Sequence, residues 1–529
     1  MSEKKKKKTQ TPPTTLAAVE LDEKWVIAGC VAIYALIVVW GLLSKGTWDD
    51  DCPMRYYNVR QALNDPKMFI NVWNRPLFTL LYVLPMQLGR ITVIFQTALI
   101  AVLAGYFVYR AAKELRLPNA YLAIPFTVLQ AFYFPVAFNA LTEPLAALIL
   151  ALGVFFLARK NYLAFAIAGS LLPLARLELA ILLAFCALFL LKDRQWKYIP
   201  ILALPALLWN LAGALVNGDW LWLYHQVFTG QENRYGHGSF WQYFHRFIYL
   251  TGPVVFYFTL LGLGERLYRR RFDFTLSQFA FGFLVYVLFS WKFSIGHAAG
   301  FLRNLLPLSP LAGLLALEGY NLWIGPERDR SKNFRVLFYS VAVIIITLVF
   351  LSRKLVIHHI VGNEPEYVKL LIITGLTFIF LLTAFLLENF AGKRAAQFSL
   401  AALVVGSSLA YTLITEPPIG LIPERAAMYQ LADWYEQNNL QQHKTFSNHI
   451  WFYYAKEYDY FDETRFGRMK KAYLEQAPKS SVVIWESHYS HRLSGDVPFE
   501  YFTNNSSFKE IGRLVTPGQN FAAVIFQKQ

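Results

Sequence analysis

Charge is scarce in this chain. Only 16% of its 529 residues are Asp, Glu, Lys or Arg, where soluble domains carry roughly 25%. With 56% of residues hydrophobic and 17% aromatic, that shortage excludes a disordered protein, a coiled coil and a single soluble domain. Cysteine is scarcer still. Of the three, Cys30 and Cys186 lie inside apolar runs and Cys52 stands alone in a loop, which excludes a disulfide scaffold. The chain also lacks a Gly-rich phosphate loop, a G-x-G-x-x-G opening a helix and a zinc-finger spacing. Those absences argue against a nucleotide-driven pump and a doubly wound nucleotide-sugar enzyme, so any activated donor should come from the membrane itself. No repeat of fixed period is present.

What the chain has in abundance is apolar length. Stretches of about 15 to 24 residues recur, each roughly enough to cross ~30 Å of hydrocarbon as a helix. They predict thirteen spans, near 25–43, 91–109, 119–137, 143–158, 161–175, 178–191, 198–216, 249–264, 276–291, 305–324, 336–352, 369–388 and 397–414. The first follows a polar Pro/Thr-containing tail and has no small-residue cleavage site, unlike a signal peptide.

The net charge of +15 would suggest nucleic acid in a soluble protein. Here the basic residues cluster at alternate junctions between spans: Lys4 to Lys8 and Lys24, then Arg110/Lys113/Arg116, Arg159/Lys160, Lys192/Arg194/Lys197, Arg266/Arg269/Arg270/Arg271, Arg328/Arg330/Lys332/Arg335 and Lys393/Arg394. The positive-inside rule makes these junctions cytoplasmic. The expected architecture is an all-α polytopic membrane protein of the inner (cell) membrane, with no nucleic-acid partner. It comprises a disordered basic cytoplasmic tail (1–24), a transmembrane domain (25–414) with outward loops near 44–90 and 217–248, and a small α/β extracytoplasmic domain (415–529). In the last, a helix is expected at 423–439, strand-like runs at 445–454, 481–487 and 520–527, and a helical stretch near 465–476.

Ionisable residues at or inside spans are costly and mark functional sites by default. On the expected outer face they are Asp49, Asp50 and Asp51 after Trp48, Asn139 to Glu143, Arg176 and Glu178, and Lys292, His297 and Arg303. Three adjacent carboxylates repel one another, so at least one should titrate high unless cations offset it, and such a group can act as a general base. A solvated turn would explain the run in a soluble loop. Its place beside Trp48, ahead of an amphipathic stretch from Met54 to Leu63, favours function. Met54–Leu63 and the stretch from Asn74 to Leu88, which contains Arg75, read as helices lying along the interface. Arg303, just ahead of a proline-containing apolar run, could hold a lipid-linked phosphate or snorkel to headgroups. Arg176 and Glu178 could pair with each other, and Glu143 could be held by the helix dipole. His225, His237 and His245 lack compact ligand spacing, His358-His359 is equally weak, and no metal ligands are assigned.

The Trp48-Asp49-Asp50-Asp51 run, TEPLAALILALG (142–153), RLELAILLA (176–184) and FLRNLLPLSP (301–310) together resemble the GT-C superfamily of integral-membrane glycosyltransferases. Within it the chain is most similar to protein O-mannosyltransferases and the bacterial aminoarabinose transferases. The resemblance covers roughly residues 25 to 325. It implies a sugar donor on a polyprenyl phosphate, a catalytic Asp in the first outward loop, and inversion at the anomeric carbon. The Asp would be Asp49, Asp50 or Asp51, with Asp50 the first choice. Arg303, with Arg75 or Arg176, would grip the phosphate, and Glu143, Glu178 and His297 would line the site. No cofactor is required on this reading, although a divalent cation fits some relatives. The acceptor would be a lipid, a protein or a glycan. Two other readings compete: a transporter or flippase for lipid-linked glycans, and an assembly protein anchored by its spans.

Overall fold

A computed structural model describes residues 20–228, 238–293, 301–324, 341, 375, 393–490 and 497–529. The fold is mainly helical, with one small sheet near the C-terminus. Helix α1 (Glu23–Leu43) starts where the Asp22 carboxylate accepts the Lys24 N–H at 3.2 Å, an N-cap that satisfies an otherwise orphan donor. Its 21 residues extend about 31 Å. Two short helices follow, α2 (Asp51–Gln61) and α3 (Pro76–Gln87), then the long α4 (Arg90–Glu114). These agree with the amphipathic and apolar pieces expected after the first span.

Beyond α4 the apolar runs are more broken than their composition suggests. Among the described residues four helices are long and apolar enough to cross a membrane, or five if one bent pair counts as a span. The count of thirteen is therefore not confirmed. The run at 119–137 breaks into Ala123–Val128 and Tyr133–Val136, with Pro125 and Pro135 supplying no backbone donor. Every residue from 122 to 147 is buried, so this stretch is interior rather than lipid-facing. The run at 161–175 divides at Leu171, just before Pro173. The run at 178–191 begins as a 3₁₀ turn, Leu177–Leu182. The run at 249–264 belongs to two helices bent by 120°, α7 (Gln242–Thr251) and α8 (Pro253–Tyr268). Gly252 makes that corner at φ 76°, a conformation glycine adopts without a Cβ penalty. Apart from positions 341 and 375, the expected spans at 336–352 and 369–388 lie outside the described residues, as do residues 1–19 of the tail, His237 and His358-His359.

The remaining long helices are α5 (Glu143–Ala158), α6 (Ile199–Asn217), α9 (Phe274–Leu288), α10 (Ser309–Ile324) and α11 (Lys393–Thr415); in chain order α5 and α6 precede α7. Helices α8 and α10 touch backbone to backbone. A Cβ on Gly262 would stand 2.0 Å from the Leu315 carbonyl oxygen, and one on Gly319 would stand 2.0 Å from that of Phe258. Small residues allow such an approach in membrane helix pairs.

The C-terminal part opens with α12 (Pro423–Gln437). Its sheet comprises β1 (Thr445–Ser447), β2 (Phe466–Gly467), β3 (Val482–Glu486), β4 (Phe508–Val515) and β5 (Ala522–Lys528), in the order β2-β1-β3-β5-β4. The β2-β1-β3 half is parallel and the β3-β5-β4 half antiparallel. The run expected as a strand to 454 stops at Ser447, because His449 caps a helix, α13 (Ile450–Lys456). Strand β4 escaped notice because it is an edge strand with Lys509, Glu510 and Arg513 facing water, a usual defence of sheet edges. This part packs onto the N-terminal helices through one continuous core. Tyr454 of α13 stands edge-on to Tyr56 and Tyr57, and Arg90 donates to Glu457 at 2.7 Å.

The α8–α10 crossing tolerates no side chain, because the atoms in the way are main-chain carbonyls. Gly262→Val is expected to abolish the monodisperse detergent-solubilised peak on size exclusion. Gly153→Ala, whose Cβ would meet Phe274 at 3.9 Å, is expected to leave it unchanged.

Candidate functional site

The site forms where helices begin or break. Trp48 to Asp51 connect α1 to α2, Asn139 to Glu143 lead into α5, and Arg176 to Glu178 follow the break before the 3₁₀ turn. Arg303 and Asn304 belong to a second 3₁₀ turn, Leu302–Leu308, ahead of α10. In a membrane protein, irregular backbone is tolerated where it is buried in protein or lines a cavity. The Asn139 side-chain oxygen accepts the Trp48 N–H at 3.0 Å, and Arg55 donates to the Ala140 carbonyl at 3.1 Å. These bonds tie the first loop to the start of α5.

Arg303 is at the centre. Its Nη1 pairs with Asp49 Oδ2 and its Nη2 with Asp51 Oδ2, so one guanidinium bridges two carboxylates. Its Nε faces Glu143 Oε1 at 3.7 Å. Glu143 Oε1 also meets Arg176 Nη1 at 2.5 Å, and Arg176 meets Glu178 Oε1 through Nη2 at 2.5 Å and Nε at 2.6 Å. Arg176 donates further to Asn304 Oδ1 at 3.0 Å. Glu178 Oε2 lies 3.6 Å from Arg75 Nη2. Acid and base thus alternate along one string: Asp49 and Asp51, Arg303, Glu143, Arg176, Glu178, Arg75. The string is mostly buried, with Glu143 at 1%, Arg176 at 8% and Arg303 at 8% exposure. Glu143 Oε2 and Arg303 Nε have no hydrogen-bond partner among the described residues.

The string joins most of the residues singled out from the sequence. The Arg176–Glu178 pair forms, but within a network and not as an isolated pair. Arg75 reaches its place from a strained backbone at φ 71°, uncommon for a non-glycine residue. Lys292 is exposed and its ammonium lies 5.4 Å from the Trp291 ring centroid, outside the string. His297 lies outside the described residues. His225 pairs with Asp219 at 2.7 Å. Arg55 was not anticipated. It is 6% exposed, and its guanidinium lies 4.5 Å from the Trp73 ring centroid. Its place in an amphipathic helix gave it the look of a surface arginine.

The three aspartates have separate surroundings. Asp49 and Asp51 face Arg303. Asp50 is held by the C-terminal part: its Oδ1 accepts from Arg425 Nε at 3.2 Å and Trp451 Nε1 at 2.7 Å, and its Oδ2 from Tyr489 Oη at 2.5 Å. Burial pushes the Asp49 carboxyl up to about 6 against the pull of Arg303, with Asp51, Glu143 and Asp50 adding to the rise. Burial also acts on Asp51, but Arg303 and Arg55 outweigh it and hold that carboxyl below the usual range. Neighbouring acids with divergent affinities are the usual arrangement of an acid–base site.

Asp50→Asn removes the charge that three donor side chains share. Charge-assisted hydrogen bonds are worth roughly 1.5–3 kcal/mol each. Faster deuterium uptake by residues 486–490 and faster limited proteolysis of the C-terminal part are expected. Asp51→Asn, which leaves these three bonds in place, should speed both much less.

No protein-family model and no curated protein sequence matches this chain. Among solved structures, ArnT from Cupriavidus metallidurans bound to undecaprenyl phosphate aligns with a TM-score of 0.61 at 14% identity, covering 96% of this chain and 98% of that one. The apo state of the same protein aligns with a TM-score of 0.60 at 14% identity, covering 95% and 98%. At such low identity the likeness is one of fold, and it extends over the C-terminal sheet as well as the helices. The chain has the fold of ArnT over 96% of its length.

Proposed function

We propose that this protein is a membrane glycosyltransferase. It moves a sugar from a polyprenyl-phosphate donor to an acceptor hydroxyl at the extracytoplasmic membrane face, with inversion at the anomeric carbon. The observation that carries the reading is the bridge from Arg303 to Asp49 and Asp51, in a chain whose fold matches a protein crystallised with undecaprenyl phosphate. The basic tail and alternate basic junctions support a cytosolic N-terminus, which puts the site and the C-terminal domain on the far side.

The chemistry follows from the charges. A sugar hydroxyl is a poor nucleophile and needs a base as it attacks. Asp49 is the best candidate, because its carboxyl holds a proton most readily of the two facing Arg303. Asp50 is already committed to three donors, so it serves as an anchor. The acceptor oxygen bonds to the anomeric carbon as its proton passes to Asp49. The bond from that carbon to the phosphate oxygen breaks, and its electron pair stays with the phosphate. One negative charge leaves Asp49 as one appears on the phosphate. Arg303 touches Asp49 and can follow that charge, stabilising the leaving group where it develops. Arg176 and Arg75 stand farther along the string, where Glu143 and Glu178 keep them ionised and aligned. No residue of this string has the imidazole or thiolate ligands that favour zinc, and the mechanism needs no metal.

The test is incubation of purified protein with polyprenyl-phosphate sugars and hydroxyl acceptors, with mass spectrometry of the products. A glycosylated acceptor and free polyprenyl phosphate are expected. Movement of intact donor lipid across vesicles without cleavage would instead favour the flippase reading. Asp49→Asn should lower turnover roughly 100- to 10,000-fold, and Asp50→Asn far less. Because the base works deprotonated, kcat should fall as pH drops through about 6. An unchanged rate at pH 5 would remove Asp49 from that role.

A further inference from the structure

A second group of chemically capable side chains lies in the C-terminal domain, away from the Arg303 string. Glu424 is in the first turn of α12, His449 caps α13 after β1, and His488 follows β3. One ligand atom from each comes within 4.8 Å of the others. Both rings address the same carboxylate oxygen: His449 Nε2 lies 2.9 Å and His488 Nδ1 2.6 Å from Glu424 Oε1. His449 is fully buried, while Glu424 and His488 retain side-chain exposures of 21% and 27%.

We propose that these three groups form a divalent transition-metal site, with Zn²⁺ the best match. Two imidazoles and one carboxylate suit zinc better than Mg²⁺ or Ca²⁺, which prefer all-oxygen shells. Ligands about 2.0–2.1 Å from a tetrahedral zinc stand roughly 3.3 Å apart. The contacts here need to open by about half an ångström, which the partly exposed Glu424 can supply. Its exposed side also leaves a fourth position to water, as in a zinc site with three protein ligands.

The surroundings are built to hold the ligands. Buried Glu486 accepts the backbone N–H groups of His488 at 2.7 Å, Tyr489 at 2.9 Å and Ser490 at 2.7 Å. That fixes the loop carrying the His488 ligand, as outer-shell partners do in metal sites. One feature opposes the metal. His449 Nδ1 accepts the Trp451 N–H at 3.3 Å, and an ion on Nε2 would move the ring proton to Nδ1 and break that cap. The bond is long, and a lost cap is a small cost against zinc ligation.

The site has a structural consequence. His488 stacks on Tyr489 with ring centroids 4.2 Å apart, and Tyr489 donates to Asp50 at 2.5 Å. A metal at His488 would therefore stiffen the loop that anchors the aspartate run. Its role is positional, and its failure would leave the transferase reading intact.

The full-length protein, stripped with EDTA, desalted and titrated with Zn²⁺ and then Co²⁺, decides the matter. One tightly held equivalent of Zn²⁺ by elemental analysis is expected, with a visible Co²⁺ spectrum of low coordination number. Glu424→Gln and His488→Ala alter partly exposed positions and should each weaken binding at least about 10-fold, while size exclusion confirms folding. His449→Ala is informative only if it too elutes as folded protein. Absence of stoichiometric metal in the wild type, or equal retention in both exposed-site variants, would overturn the site.

Discussion

One guanidinium holding two carboxylates organises the core of this molecule. Arg303 reaches from the turn ahead of α10 to Asp49 and Asp51 at the start of α2, about 250 residues earlier in the chain. Burying an ion alone is prohibitive, and losing one partner of a buried pair costs roughly 3–5 kcal/mol. Neither segment can therefore take its place without the other. The requirement propagates, since Glu143 answers Arg303, Arg176 answers Glu143, and Glu178 and Arg75 complete the string.

The fold delivers these residues by interrupting helices. Prolines and 3₁₀ turns break the apolar runs near residues 135, 173 and 307, close to where the charged residues stand. A continuous helix would bury its own backbone but would carry few polar side chains at its ends. A broken one brings loops, side chains and backbone acceptors to a common place. The overall fold is shared with ArnT at 14% identity.

The aspartate run shows how neighbours in sequence part company in space. Asp50 occupies the N-cap position of α2 and Asp51 is its first helical residue, while Asp49 still belongs to the loop. Asp49 and Asp51 pair with Arg303, while Asp50 turns to the C-terminal domain and meets Arg425, Trp451 and Tyr489. That division was illegible beforehand, because those three donors lie 375 to 439 residues away in a domain without a recognisable motif. The sequence favoured the middle aspartate as the base without sight of these partners. Arg55 was overlooked for a related reason: a lone arginine on an amphipathic helix carries no mark of burial. Glu424, His449 and His488 were overlooked because their spacing matches no ligand motif, and only the sheet brings them together.

Sequence alone pointed to a multi-pass helical membrane protein, with an α/β segment near the C-terminus where the structure has a small sheet. Apolar run length and the placement of basic residues follow from the bilayer itself, which acts on each segment independently. It also singled out charged residues that the structure brings together in one string, since an ion in an apolar run is expensive wherever the fold places it. Tertiary structure alone decided which ions pair, which aspartates face Arg303 and which one meets the C-terminal domain, and where continuous helices give way to turns. Those outcomes depend on electrostatics and packing between segments hundreds of residues apart, and no local pattern encodes them.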